Sequence, residues 1–206
     1  MIISDSAFRK EDSTGLAMRG AILALAEMSS SPSSPGGKFH VIDFYSRRQR
    51  RITRSTFAAE LHGLADSLEI GKIIAMAFTE IAIPNLSPAK LSHLEESGKL
   101  CFPIEAVIDA KSVFDALTVT DVKVPSEGSL IMILLSIKES LLCHTLKTLW
   151  WVDTVDMLSD GLNKGAVSRV ALFQSSLDGL WLVTKPAVSF SEKTQVIVEH
   201  SWRESV

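Results

Sequence analysis

Cysteine is nearly missing from this chain: two residues, Cys101 and Cys143, in 206. Two thiols so placed make neither a disulfide framework nor the paired spacing of a zinc site. Their scarcity fits a reducing, intracellular setting, cytoplasmic or nuclear. Long hydrophobic runs are absent too, since the longest, LIMILLSI at 130–137, is too short to span a bilayer. The N-terminus lacks the basic region that opens a secretory signal peptide. Met1, Ile2 and Ile3 lead straight into a candidate strand, as in a piece excised from a longer chain. An excess of positive charge is also lacking, because 21 Lys and Arg face 24 Asp and Glu for a net −3. A nucleic-acid partner would therefore need a local basic patch. No internal repeat is present.

What the chain does have is an ordinary globular composition, 46% hydrophobic and 22% charged, and enough length to bury a good core. Length alone predicts one domain, or one domain with an extension. The local basic patch exists: residues 47–54 hold five arginines, Arg47, Arg48, Arg50, Arg51 and Arg54. They precede a helix whose first backbone N–H groups have no intrahelical partner, a place suited to phosphate. The same residues also suit the solvated, charged edge of a hairpin, and both readings stand open.

Periodicity orders the rest. Strands are expected at 1–8, 16–28 and 38–46, the last two joined by the Ser/Pro/Gly loop 29–37. Ser55 or Thr56 can cap a helix that carries Phe57, Leu61, Leu64, Leu68 and Ile73 on one face and runs to about Ile81, before Pro84. Residues 85–100 read as a loop with one helical turn. A strand at 102–110 ends at Asp109. Helices follow at 111–118 and 129–142, a strand at 146–152, and a single helix at 153–165 carrying Asp156 and Asp160. The order β-β-β-α-β-α-α-β-α predicts a mixed α/β sheet with helices on its faces. Residues 1–165 would form the domain and 166–206 an extension packed on it through Trp181.

Four carboxylates are candidates for chemistry. Asp5 and Asp109 end strands, and Glu60 and Asp160 lie on helices that could reach the same edge. Each alone suits a blander role as turn former, helix cap or solvated residue. Converging with no lysine or arginine among them, they would repel one another unless they held divalent cations. Oxygen ligands without a Cys/His cluster suit Mg²⁺ or Mn²⁺ rather than zinc.

Four segments carry a family likeness: SDSAF at 4–8, SRRQRRITRSTFAAEL at 46–61, AVIDAKSVFDAL at 106–117 and LWWVDTVDMLSDGLNKG at 149–165. With these in order, the chain resembles the ribonuclease H domain of copia-type retrotransposon Pol polyproteins. The resemblance implies a ribonuclease H-like fold, a five-stranded mixed sheet with its first three strands antiparallel, flanked by helices. It implies Asp5, Glu60, Asp109 and Asp160 as catalytic metal ligands for two Mg²⁺, with Mn²⁺ as a substitute. Ser55 and Thr56 match positions that contact the hybrid backbone, beside the phosphate-holding Arg47, Arg50, Arg51 and Arg54. The implied activity is hydrolysis of the RNA strand in RNA–DNA hybrids. A reverse transcriptase domain of the same polyprotein is the implied partner, and no membrane is involved. One feature departs from the pattern: cellular relatives carry a His shortly before the last Asp, whereas the nearest here, His144, lies sixteen residues upstream. The rival readings are an inactive nucleic-acid or protein binding module on the same fold, and a nuclease of that fold with other acid spacings.

Overall fold

The structure is a computed structural model that describes residues 1–8, 16–27, 34–50, 52–120, 125, 127–165 and 167–191. Neighbours in the first strand, β1 (Ile2–Ala7), face opposite ways. Ile2 enters one apolar cluster and Ile3 another, because side chains alternate across a strand. The same division separates Ala106 and Ile108 from Val107, and Leu149 from Trp150. The sheet is thus buried on both faces, so that Ile2 to Ser6 of its central strand are all buried, the polar Ser4, Asp5 and Ser6 included.

Strands β2 (Met18–Ala26) and β3 (Gly37–Arg48) complete an antiparallel meander with β1. Strand β4 (Ile104–Ile108) lies parallel to β1, and β5 (Leu146–Trp151) parallel to β4. Two short strands, β6 (Leu180–Trp181) and β7 (Val188–Phe190), add antiparallel to β3 and β5. The order is β6-β3-β2-β1-β4-β5-β7, seven strands where the sequence suggests five. Both extra strands come from the 166–206 stretch. At two and three residues they are too short to show a period, yet each covers part of an otherwise open edge.

One face carries α1 (Thr56–Ala82), α3 (Lys111–Thr118) and α4 (Leu130–Leu142). Ser55 caps α1, its Oγ accepting from the Ala58 N–H at 3.1 Å. Leu61, Leu64, Leu68 and Ala75 form its buried stripe, whereas Ile73, expected on that face, is 67% exposed because five residues after Leu68 it has turned away from it. Its two glycines allow close approach to β1, for a Cβ on Gly63 would collide with Ser6 Oγ and one on Gly71 with Ile2 Cδ1. Helix α2 (Pro88–Glu96) is longer than the single turn expected, because Ser87 caps it and Pro88 starts it. It buries none of its residues, so no apolar stripe marks it in the sequence.

The other face is covered by the stretch after β5. In place of one helix over 153–165 there is a 3₁₀ turn, Thr154–Asp156, and a four-residue helix, α5 (Asp160–Asn163). The helix breaks because its side chains are engaged elsewhere. Met157 and Leu158 are buried in the second cluster. The Asp156 carboxylate accepts from the backbone N–H groups of Thr184 and Lys185, at 3.0 and 2.9 Å. Helix α6 (Val170–Asp178) follows, and Trp181, 2% exposed, closes the layer. No described helix is long and apolar enough to cross a membrane.

Candidate active site

Asp5 shares the Ile3 side of β1 and is fully buried. It lies inside β1 and not at its end, because pairing with β2 continues to Ala7, and it stands across the sheet from Gly20 of β2. Asn163, the last residue of α5, fills the space a side chain at position 20 would take: a Cβ there would come within 2.5 Å of the Asn163 amide. Asn163 Nδ2 donates to the Asp5 carbonyl at 2.8 Å and to its carboxylate Oδ2 at 3.2 Å. Asn163 is steadied in turn from β3, where Ser46 Oγ donates to its Oδ1 at 3.4 Å and to the Leu162 carbonyl at 2.8 Å.

Asp109 follows β4 directly, and Thr154 Oγ1 from the 3₁₀ turn donates to its Oδ2 at 2.9 Å. Asp160 opens α5 and is 4% exposed. One ligand oxygen from each of Asp5, Asp109 and Asp160 lies within 4.8 Å of the others. Glu60, one turn into α1 and 8% exposed, is oriented by the Ser6 backbone N–H, which donates to its Oε2 at 3.0 Å. Glu60 borders a cleft of about 480 Å³ together with Ser6, Phe8, Thr56, Asp109 and Lys164. A smaller cavity of about 110 Å³ lies at the opposite end of β1, beside Met1, Ile2, Phe78 and Phe102, away from these acids and mostly apolar.

The carboxylates are not free of a cation, contrary to the premise drawn from their residue types. Lys164 Nζ lies 2.5 Å from Asp160 Oδ1 and 3.4 Å from Asp5 Oδ1. Its spacing of four from Asp160 is the one that places two helical side chains together, and that much was readable in the sequence. Asn163 and Thr154 had no such signal, since only the folded chain brings them to Asp5 and Asp109.

Crowding shows in the proton affinities. Burial, then the charges of Asp5 and Asp109, push Glu60 up from 4.5 to about 9. Burial, followed by repulsion from Asp5, raises Asp109 as well. Burial raises Asp160 from 3.8 to about 6 even though Lys164 donates to it. Burial alone would lower Lys164, but the hydrogen bond to Asp160 and the charges of Asp5, Asp160 and Asp109 carry it to about 12. Such a cluster keeps one acid neutral and holds one ammonium, or else takes up added cations.

The basic segment adjoins this site. Strand β3 continues through Arg48, so Arg47 and Arg48 belong to the strand, opposite Arg19 and Met18, and not to the turn. Arg47 stacks over Tyr45, 4.7 Å from the ring centre. Arg47, Arg50 and Arg54 are exposed, whereas Arg51 lies outside the described residues. Gln49, 3% exposed, ties the turn down by donating to the Ala59 carbonyl at 2.7 Å and to Ser6 Oγ at 3.3 Å. That anchors the arginine segment one residue from Glu60 in α1. Ser55 spends its side chain on the helix cap, and Thr56 faces the cleft. No family model, no curated protein and no solved structure matches the chain.

Proposed function

We propose that this chain is a ribonuclease H-like nuclease that hydrolyses the RNA strand of RNA–DNA hybrids with the help of divalent cations. The observation that carries the reading is the convergence of Asp5 from within β1, Asp109 from just after β4 and Asp160 from the start of α5, with oxygens mutually within 4.8 Å. The strand arrangement supports it: an antiparallel meander whose first strand runs parallel to β4 and β5, with acids towards the carboxyl ends. The donor set fits Mg²⁺ or Mn²⁺, being all carboxylate oxygen with no His or Cys among them. Asp5, Asp109, Asp160 and Glu60 would hold the metal. When bound, it supplies Lewis-acid stabilisation of phosphodiester charge and makes water a better nucleophile.

The chain's own groups do the positioning. Asn163 occupies Oδ2 of Asp5 and leaves Oδ1 to a cation, in the metal-free protein the Lys164 ammonium, and Thr154 occupies Oδ2 of Asp109. The Ser6 N–H aims Glu60 at the cleft. Arg47, Arg50 and Arg54 hold phosphates and contribute affinity rather than sequence choice. RNA is distinguished by its 2′-OH, read from the wide minor groove. A reverse transcriptase domain on the same polyprotein would deliver the hybrid.

Lys164 favours one alternative, an inactive binding module, because its ammonium already offsets the acids without a metal. Labelled hybrid, duplex DNA and single-stranded RNA, each incubated with Mg²⁺, Mn²⁺ or chelator, separate the two readings. The expected outcome is metal-dependent cutting of the hybrid's RNA strand. Asp5→Asn and Asp109→Asn should reduce it beyond the roughly 10–100-fold typical of outer-shell partners. Hybrid binding without any cleavage would instead establish the binding module.

A further inference from the structure

Lys164 has no part in holding a metal, yet its ammonium lies among the carboxylates that would. Its backbone is fixed there: the Lys164 N–H donates to the Asp160 carbonyl at 2.9 Å and closes α5. Only the flexible side chain reaches inward. At 2.5 Å from Asp160 Oδ1, Nζ stands almost where an ion bonded to that oxygen, at about 2.0–2.1 Å for Mg²⁺, would stand. It also lies 3.4 Å from Asp5 Oδ1, the oxygen that Asn163 leaves open. A divalent ion on those same oxygens would meet the repulsion of the ammonium at close range in a buried cluster where water screens it little. A way out exists, for the Lys164 side chain is 32% exposed and borders the open cleft, and among the described residues nothing beyond its chain neighbours lies within 4 Å of where a Cβ at Gly165 would stand.

We infer that Lys164 is a built-in competitor of the divalent ion. Its ammonium is the counter-ion of Asp5 and Asp160 in the metal-free protein, and an ion bound to both oxygens enters by displacing it towards the cleft. This rests on the metal-centre reading above. Metal binding is then a cation exchange, weaker than the carboxylates alone would give, and the metal-free fold keeps its acids compensated. Removing a merely structural lysine would lower stability equally with and without metal, whereas removing a competitor lowers it in the metal-free protein and tighter metal binding offsets that loss.

The test uses Mn²⁺ on the full chain and its Lys164→Met variant. Free Mn²⁺ is read by electron paramagnetic resonance and melting is followed in chelator and in Mn²⁺. The variant should melt lower than wild type in chelator, bind Mn²⁺ on the order of tenfold more tightly, and gain more melting temperature from it. A second measurement needs no variant. Brief acylation of wild-type amines, read by peptide mass, should find Lys164 protected in chelator and reactive in Mn²⁺, with exposed Lys90 as the unchanging reference. Equal or weaker Mn²⁺ binding by the variant, or Lys164 labelling that ignores Mn²⁺, overturns the competition. Failure of both proteins to bind Mn²⁺ overturns the metal centre itself.

Discussion

Gly20 and Asn163 show how closely single residues are matched at this site. Asp5 can be fully buried because Asn163 satisfies both its carbonyl and one carboxylate oxygen. Asn163 fits only because position 20 has no Cβ. In Gly20→Ala the new methyl would press on the Asn163 amide from 2.5 Å, and neither the strand nor α5 can retreat without breaking other contacts. We expect a loss of about 1–3 kcal/mol by urea unfolding, the usual range for an overpacked core. Mn²⁺ affinity should weaken as well, since Asp5 loses its orienting partner. A Gly20→Ala variant with wild-type Mn²⁺ affinity would remove Asn163 from the site's support.

At the scale of elements, the stretch 153–190 links the site to the edges of the sheet. Trp181 Nε1 donates to the Asp156 carbonyl at 3.1 Å, and the Asp156 carboxylate gathers Thr184 and Lys185. The segment bearing Thr154, Asp160 and Asn163 is therefore held from behind by residues some twenty-five positions later. Trp181→Ala should cost about 3–5 kcal/mol, as large-to-small core changes do, and loosen that segment too. The expected signature is a lower urea midpoint together with faster amide exchange over 154–163. Faster exchange confined to 170–190 would show that the two parts are mechanically separate.

For the molecule as a whole, the buried acids set a dependence on pH. In the unfolded chain Glu60 loses its proton near 4.5, but the folded, metal-free protein retains it to about 9. Between those values the folded state binds more protons than the unfolded one, so stability falls as pH rises. Asp160 acts with the same sign between 3.8 and about 6. Melting temperature in chelator should decline through this window, and saturating Mg²⁺ should flatten the decline by stabilising the ionised acids. Glu60→Gln should flatten it as well, without metal. A metal-free melting temperature that climbs between pH 6 and about 9 would show that Glu60 is not the dominant buried acid.

Local patterns in the sequence were sufficient for most of the frame. Short apolar stretches between polar or Ser/Pro/Gly turns, with partial alternation in the third, located the strands β1 to β5. Ser55 and the apolar stripe after it located α1, and Asp5, Glu60, Asp109 and Asp160 were legible as candidate acids on two strands and two helices. What local pattern could not determine depends on contacts between distant residues. Helix α2 buries nothing and so leaves no stripe, and β6 and β7 are strands only because β3 and β5 offer them partners. The predicted helix over 153–165 yielded to the burial of Met157 and Leu158 and to the demands of Thr184 and Lys185 on Asp156. Asn163, Thr154 and the ammonium of Lys164 joined the acids only when the second layer closed over the sheet. Propensity acts over a few residues, whereas the burial of charge is decided by everything that packs around it.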